Sequence, residues 1–529
     1  MASHYSRVLT LLLAAAGGSL ATTGHASSSS PKRGLVSFPL SLEPVMSHAG
    51  SLARRNADIT LYNISAAAYL VRVALDTGSD ELWVNPVCNS STNDDDSHVE
   101  ECQSSGHYDP TRSNTSVDLY LSGRIQYGIG SVHLRYFNDT VTQPDSLVSV
   151  TNFQFGVATR STDLYEGILG LGFPQNKGYP TFVSAVTDQG AAGGSTNVFS
   201  VGLASSNQVN AGVFVLGGVD TERFAGRMMP VPILPPPDSD PLVRYWVKLD
   251  SIGLSDAGST SSLQSSDSSK KYPSSGGPVV LDTGSTLSIL PASVIAALAK
   301  DLGGGILVKR VTGRSAPSAA TDMAHIYSIP CAAVGRGADI HSKDNQAGLK
   351  RTVDFSFNNG SAFIRVPLSE FSGQLNATTC YLGALSVDSS SSSSSSSSGG
   401  SPGSGLVPEL GITMLLGASF LRGAFVAFDQ SANSVYMAPY AKCIVNGNSS
   451  NLQPLASEKP GTAGTINGAC ATADTLYAGG AGGYAEAVGN STSSAPGDNK
   501  KNAGSPTSGL SMASLMMVVV PAMLILLSA

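Results

Sequence analysis

Two identical tetrapeptides carry the chemistry of this sequence: Asp76-Thr77-Gly78-Ser79 and Asp282-Thr283-Gly284-Ser285. Each holds a carboxylate, a turn-forming glycine and a hydroxyl. Each follows one apolar run (71–75 or 279–281) and precedes another (82–84 or 287–290). A single copy reads as a hairpin turn, because Asp and Gly are common turn residues. Two copies with matching flanks read as a duplicated fold that brings Asp76 and Asp282 together. Two carboxylates in one site resist ionising together and hold one proton between them. Such a pair supplies a general base and a general acid at once, which an unactivated water needs to attack an amide. The titration belongs to the pair, so the base is assigned to neither residue. Gly78 and Gly284 allow the backbone amides to approach the carboxylates. The Ser79 and Ser285 hydroxyls lie within reach to donate to them.

The elements that must position these turns are strands. From Ile59 onward, short β-rich runs are separated by Gly, Asn, Asp and Pro, which predicts an all-β architecture with many hairpins. Two helices are expected. One spans 181–189 and is stopped by Gly190; the other spans 292–302, follows Pro291 and is stopped by Gly303. The Pro-rich stretch 230–241 falls between the two repeats and begins a lobe junction. Three polar insertions, 89–101, 255–277 and 388–405, hold too little apolar area to order themselves and are expected as surface loops. The last contains ten consecutive Ser, 389–398.

A chain of 529 residues is long enough for two sizeable lobes. It is 41% hydrophobic and only 13% charged, with net charge −7, so nothing basic enough for a nucleic-acid partner is present. Arg7, the apolar stretch 8–16 and the small residues 24–26 read as a signal peptide, residues 1–26. Residues 27–55 read as a propeptide ending at the dibasic pair Arg54-Arg55, with Lys32-Arg33 as a second candidate cut. At the other end, the apolar run 512–528 follows a polar spacer, 505–511, and small residues. That is the pattern of a glycolipid (GPI) anchor signal, 503–529, with attachment at Asn502. A transmembrane helix is the competing reading, disfavoured by Pro521 and by the absence of a basic cluster behind the run. The Gly-, Ala- and Ser-rich stretch 444–502 is expected as a stalk. Six cysteines in a secreted chain imply three disulfides, with fifteen possible connectivities. No Cys-x-x-Cys or His-rich spacing accompanies them, so no metal or other cofactor is expected. Sequons occur at Asn63, Asn89, Asn114, Asn138, Asn359, Asn376, Asn448 and Asn490.

From Ile59 to Tyr440 the chain resembles the pepsin-like aspartic proteases. The segment 75–84 is similar to the family's first active-site segment, and 125–131 to its flap. Residues 166–174 resemble the strand that closes the first catalytic loop, and 199–203 with 213–220 the end of the first lobe. Residues 245–252 resemble the opening of the second lobe; 416–422, 428–429 and 438–439 resemble its end. The resemblance implies a bilobal fold, with lobes at 56–235 and 236–443 and a cleft between them, acting as an aspartic endopeptidase on peptides or proteins at acid pH. It implies that Thr77 and Thr283 bond across the lobe interface. It also implies that Tyr127 beside Gly128 closes over substrate, with Trp83 as its hydrogen-bond partner. Disulfides Cys88–Cys102 and Cys331–Cys380 are implied in the same way, which leaves Cys443 and Cys470 as the remaining pair. The anchor signal, the acidic insertion 94–101 and the Ser-rich loops are similar to yapsin-type fungal cell-surface proteases, which favour basic residues at the cleavage site. A monomer, held at the plasma membrane or cell wall, is expected.

Three departures from the family pattern stand out. Ser65-Ala66-Ala67 replaces the usual turn before the first active-site strand. Asp80 stands where Ser is expected and is expected to add charge near the dyad. Ala418 replaces an Asp and is expected to loosen second-lobe packing. They motivate the alternative of a catalytically silent, pepsin-fold binding protein at the cell surface.

Overall fold

The computed structural model describes residues 35–44, 53–57, 71–85, 105–127, 130–142, 148–162, 164, 166–175, 177–191, 197–203, 212–238, 240–255, 270–308, 324–337, 339, 341–387, 412–441, 443–444, 450–455, 466–470 and 487–488. For 38–44, 53–57, 162, 308, 324, 387, 443–444 and 487–488 it describes the backbone course alone. The signal peptide, the acidic insertion, Gly128, Cys88, Cys102, Asn63, Asn89, Asn448, Asn490, Asn502 and the anchor signal lie outside the described residues.

The fold is all-β and bilobal, and its two halves repeat one motif. In the first, Val73–Asp76 runs parallel to Gly167–Gly170, which pairs antiparallel with Leu82–Val84; that strand runs parallel to Ser149–Thr162. In the second, Gly277–Leu281 runs parallel to Leu415–Leu416, which pairs antiparallel with Ser288–Ile289; that strand runs parallel to Thr379–Val387. Each aspartate therefore leaves the end of a strand into a turn enclosed by its own half. The apolar runs around the tetrapeptides become the lobe cores: Val73, Leu75, Val279 and Leu281 are buried.

Strands of both halves meet in one thirteen-stranded sheet. Ala424–Asp429, near the end of the second half, pairs antiparallel with Val198–Gly202 of the first. Ser434–Pro439 pairs with Met229–Pro232, within the Pro-rich junction. Phe199 stacks on Phe428 at 4.9 Å between ring centroids, and Tyr245 meets the same Phe428 edge-on at 4.6 Å. The lobes are thus fixed to one another at the floor of the site. Val36–Pro44, inside the span expected to be a propeptide, and Ala53–Ala57, which crosses its end, are also strands of this sheet, lying between Gly212–Leu216 and Val73–Asp76.

The two expected helices are present as Phe182–Asp188, capped by the Thr181 side chain, and Ala292–Asp301, closed by Gly303 at φ +75°. Lys343–Gly348 and Ala418–Leu421 are further short helices. Among the described residues no helix is long and apolar enough to cross a membrane. The insertion expected at 255–277 is not all loop. Lys270–Tyr272 pairs antiparallel with Ile252–Leu254, and Tyr272 is buried, its hydroxyl donating to Asp301 Oδ2 at 2.7 Å while Lys270 pairs with the same carboxylate. Residues 450–455 and 466–470, within the expected stalk, pack against the first half. Leu452–Pro454 pairs with Gly218–Asp220, and Leu455 joins the cluster around Phe224.

Cys331–Cys380 is a disulfide, and Cys470 is disulfide-bonded. Of the described sequons, Asn114, Asn359 and Asn376 are exposed. Asn138 lies mid-strand and donates its Nδ2 to Asn152 Oδ1 at 3.1 Å.

Candidate active site

The two tetrapeptides meet face to face with matching hydrogen bonds. The Gly78 amide donates to Asp76 Oδ1 at 2.8 Å, and the Gly284 amide to Asp282 Oδ1 at 2.9 Å. The Ser79 hydroxyl donates to Asp76 Oδ2, and the Ser285 hydroxyl to Asp282 Oδ2 at 2.7 Å. Both glycines are required by space. A Cβ at Gly78 would lie 2.9 Å from Asp282 Oδ1 and 3.0 Å from Asp76 Oδ1; one at Gly284 would lie 2.6 Å from Asp76 Oδ1. The same contacts show that each turn touches the other half's carboxylate.

Behind the carboxylates, the threonines lock the turns together. The Thr77 amide donates to Thr283 Oγ1 and the Thr283 amide to Thr77 Oγ1, each at 3.0 Å. Each hydroxyl then donates across the interface, Thr77 to the Leu281 carbonyl at 2.9 Å and Thr283 to the Leu75 carbonyl at 2.7 Å. All four bonds are buried, where an unmade bond is costly.

Asp76 is 6% exposed and Asp282 9% exposed, and each lies against the glycine of the opposite turn. Burial above all, and then the charge of Asp282, hold Asp76 far above the ordinary carboxylate range. A proton is therefore retained at the site where an isolated carboxylate would have lost it.

Over the pair hangs the hairpin Val117–Gln126 and Ser131–Thr142, closed at its tip by the Tyr127 amide bonding to the Gly130 carbonyl at 2.7 Å. Trp83, fully buried next to the first turn, donates its indole N–H to the Tyr127 hydroxyl at 2.9 Å. Burial, followed by the charge of Asp76, pushes Tyr127 well above the ordinary phenol range. Tyr127 therefore stays a neutral hydrogen-bonding group.

Asp80 does not stand without a partner. Lys177 Nζ reaches Asp80 Oδ1 and Glu81 Oε1, both at 2.5 Å, and the Gln175 amide donates to Asp80 Oδ2 at 3.0 Å. The Tyr136 hydroxyl, on the flap hairpin, donates to the other Glu81 oxygen at 2.9 Å. One cation is shared by two nearly buried carboxylates. Ala418 is buried in the core cluster. Its amide donates to the Ser285 carbonyl at 2.7 Å, and its neighbour Ser419 bonds Ser288 at 2.8 Å. Lys177, Gln175, Glu81 and Tyr136 were not among the residues that the sequence singled out. Lys177 lies 97 residues from Asp80, and no local pattern links them.

Comparison with known proteins agrees with this geometry. Residues 64–440 match the family profile described as "Eukaryotic aspartyl protease". The chain is 27% identical to "Probable aspartic-type endopeptidase opsB" of Aspergillus fumigatus, over 77% of this chain and 74% of that one. It is 30% identical to candidapepsin-2 of Candida parapsilosis, over 60% of this chain and 64% of that one. It is 26% identical to aspartic proteinase yapsin-3 of Saccharomyces cerevisiae, over 69% and 62% respectively.

Proposed function

As this chain belongs to the eukaryotic aspartyl protease family and is an aspartic-type endopeptidase, we propose that Asp76 and Asp282 hydrolyse peptide bonds by activating a water between them at acid pH. The observation that carries this reading is the placement of the two carboxyl groups on interlocked turns, each inside a matched cage of amide and hydroxyl donors and each against the glycine of the other turn. With one proton on the pair, the ionised member takes a proton from water while the protonated member donates to the carbonyl oxygen of the substrate. The water oxygen bonds to the carbonyl carbon and a tetrahedral diol forms, with no covalent enzyme intermediate. Transfer of a proton to the leaving nitrogen then allows the C–N bond to break and restores the pair. The threonine lock keeps the carboxylates pre-positioned, so little reorganisation is needed at the moment of reaction. Tyr127 closes over bound substrate as the hairpin tip moves.

The protein acts as a glycosylated monomer outside the cell, delivered by residues 1–26 and held through a lipid at Asn502. Of the two dibasic pairs, Arg54-Arg55 is the processing site, with Lys32-Arg33 as a second candidate cut. Arg54 and Arg55 stand in a strand whose register pairs them with Glu43 and Leu42. The acidic insertion, Asp94 to Glu101, draws substrates with basic side chains to the cleft. Neutralising those acids is expected to raise KM for Lys/Arg peptides and leave KM for neutral peptides unchanged.

The decisive experiment is hydrolysis of a mixed peptide library at acid pH, with and without a statine-type transition-state-mimicking inhibitor. Inhibitable cleavage is expected. Inhibitor binding without cleavage by the mature protein would leave the silent binding protein as the correct reading.

A further inference from the structure

The strand Trp246–Ser255 pairs with Gly277–Leu281, whose end carries Asp282. Just ahead of it, Arg244 turns its side chain back to the other half of the molecule. Its Nη1 donates to the Gly78 carbonyl at 2.5 Å, and its Nε donates to Asp240 Oδ2 at 2.7 Å. The side chains of Arg244 and Asp240 are 7% and 1% exposed. Asp240 is itself fixed, its Oδ1 accepting the Leu242 amide at 3.0 Å. Gln175 braces the adjoining peptide from the first half, donating through Nε2 to the Val243 carbonyl at 2.6 Å.

Gly78 is the residue whose amide holds Asp76 Oδ1 and where a Cβ would lie 2.9 Å from Asp282 Oδ1. The carbonyl that Arg244 holds belongs to the 78–79 peptide, which lies between the Gly78 amide on Asp76 Oδ1 and the Ser79 hydroxyl on Asp76 Oδ2, so a shift of that peptide displaces both donors of the Asp76 cage. A guanidinium suits this position. It is planar, keeps its charge when buried, and presents separate N–H groups to the carbonyl and to Asp240 in a fixed fork. A lysine ammonium is a point charge on a flexible stem and does not present that fork.

We propose that Arg244 is a positioning residue of the protease. Anchored by Asp240, it clamps the Gly78 peptide and so sets the approach of Asp76 to Asp282. The backbone that bears it leads directly into the second half, so the clamp ties the two catalytic turns together independently of the threonine lock. This inference rests on the dyad reading above. The clamp acts on geometry. A small displacement of reacting groups is enough to cost one to two orders of magnitude in rate.

The test uses the full mature protein, with active sites counted by titration with a tight-binding statine inhibitor. Arg244→Gln alone leaves Asp240 buried without its cation, so the pair is neutralised together as D240N/R244Q, and R244K serves as the conservative variant. The expected result for D240N/R244Q is a kcat per titrated site at least about tenfold below wild type, with KM changed less than about threefold. R244K is expected to recover part of the loss, by restoring one bond to the Gly78 carbonyl. If both variants titrate and show kcat within about twofold of wild type, the clamp is structural only and the proposal is overturned. If D240N/R244Q does not fold, R244K decides alone: a reduced kcat at unchanged KM supports the clamp, and a wild-type kcat overturns it. Failure of the dyad reading looks different, because the wild-type protein itself would then neither bind the inhibitor nor cleave peptide.

Discussion

Replacing Thr77 by valine isolates the lock between the catalytic turns, because valine keeps the shape and removes only the hydroxyl. That hydroxyl donates to the Leu281 carbonyl at 2.9 Å and accepts the Thr283 amide at 3.0 Å, and Thr77 is 1% exposed. Its loss strands a buried amide and weakens the bonding of a buried carbonyl. Each stranded group costs about 1–3 kcal/mol, so a loss of about 2–4 kcal/mol is expected. Thr283→Val should cost a similar amount, since the Thr283 hydroxyl makes the same pair of bonds to Leu75 and Thr77. Denaturant unfolding measures the stability term, and peptide hydrolysis per inhibitor-titrated site measures the effect on the dyad. Both should fall together, because the lock lies directly behind both carboxylates. A stability loss below about 0.5 kcal/mol, the range of an unremarkable surface change, with unaltered kcat would refute the claim that this lock sets the spacing.

Tyr127→Phe removes the acceptor of the Trp83 indole N–H, and kcat/KM should fall about tenfold, the worth of one hydrogen bond near 1.4 kcal/mol. Steady-state kinetics on one peptide checks this, with Trp83→Phe expected to match it. Lys177→Met leaves Asp80 and Glu81 side by side without a cation and should cost about 3 kcal/mol, read by chemical unfolding. Asp76→Asn should raise stability at neutral pH. In the wild type the folded protein holds a proton on the Asp76–Asp282 pair that the unfolded chain releases above about pH 3.8, so stability falls as pH climbs from there toward the raised value. Thermal unfolding across pH should show a flatter profile for the variant.

Much of the site was legible because it is local and repeated. The tetrapeptides, their apolar flanks and the Gly-stopped helix at 292–301 are patterns of a few residues, and the resemblance then linked Trp83 to Tyr127. What was not legible depends on distant pairing. Arg244 finds Gly78 across 166 residues and Lys177 finds Glu81 across 96, and in sequence each is one basic residue in a loop. The composition of 450–470 reads as a polar tail. Yet Leu452, Leu455 and Ile466 suffice to dock it on the cluster around Phe224, because that surface already offers an unpaired strand edge at Gly218–Asp220. Asp80 shows the converse. Its charge was visible, but its effect was set by a partner the sequence did not identify.

The central claim is that Asp76 and Asp282 work as one unit sharing one proton. The pH dependence of kcat/KM for a single peptide, recorded for the wild type, Asp76→Asn and Asp282→Asn, tests it most directly. The account predicts a bell with two limbs for the wild type and loss of at least about a thousandfold in either variant. A variant that retained wild-type hydrolysis at any pH would contradict it.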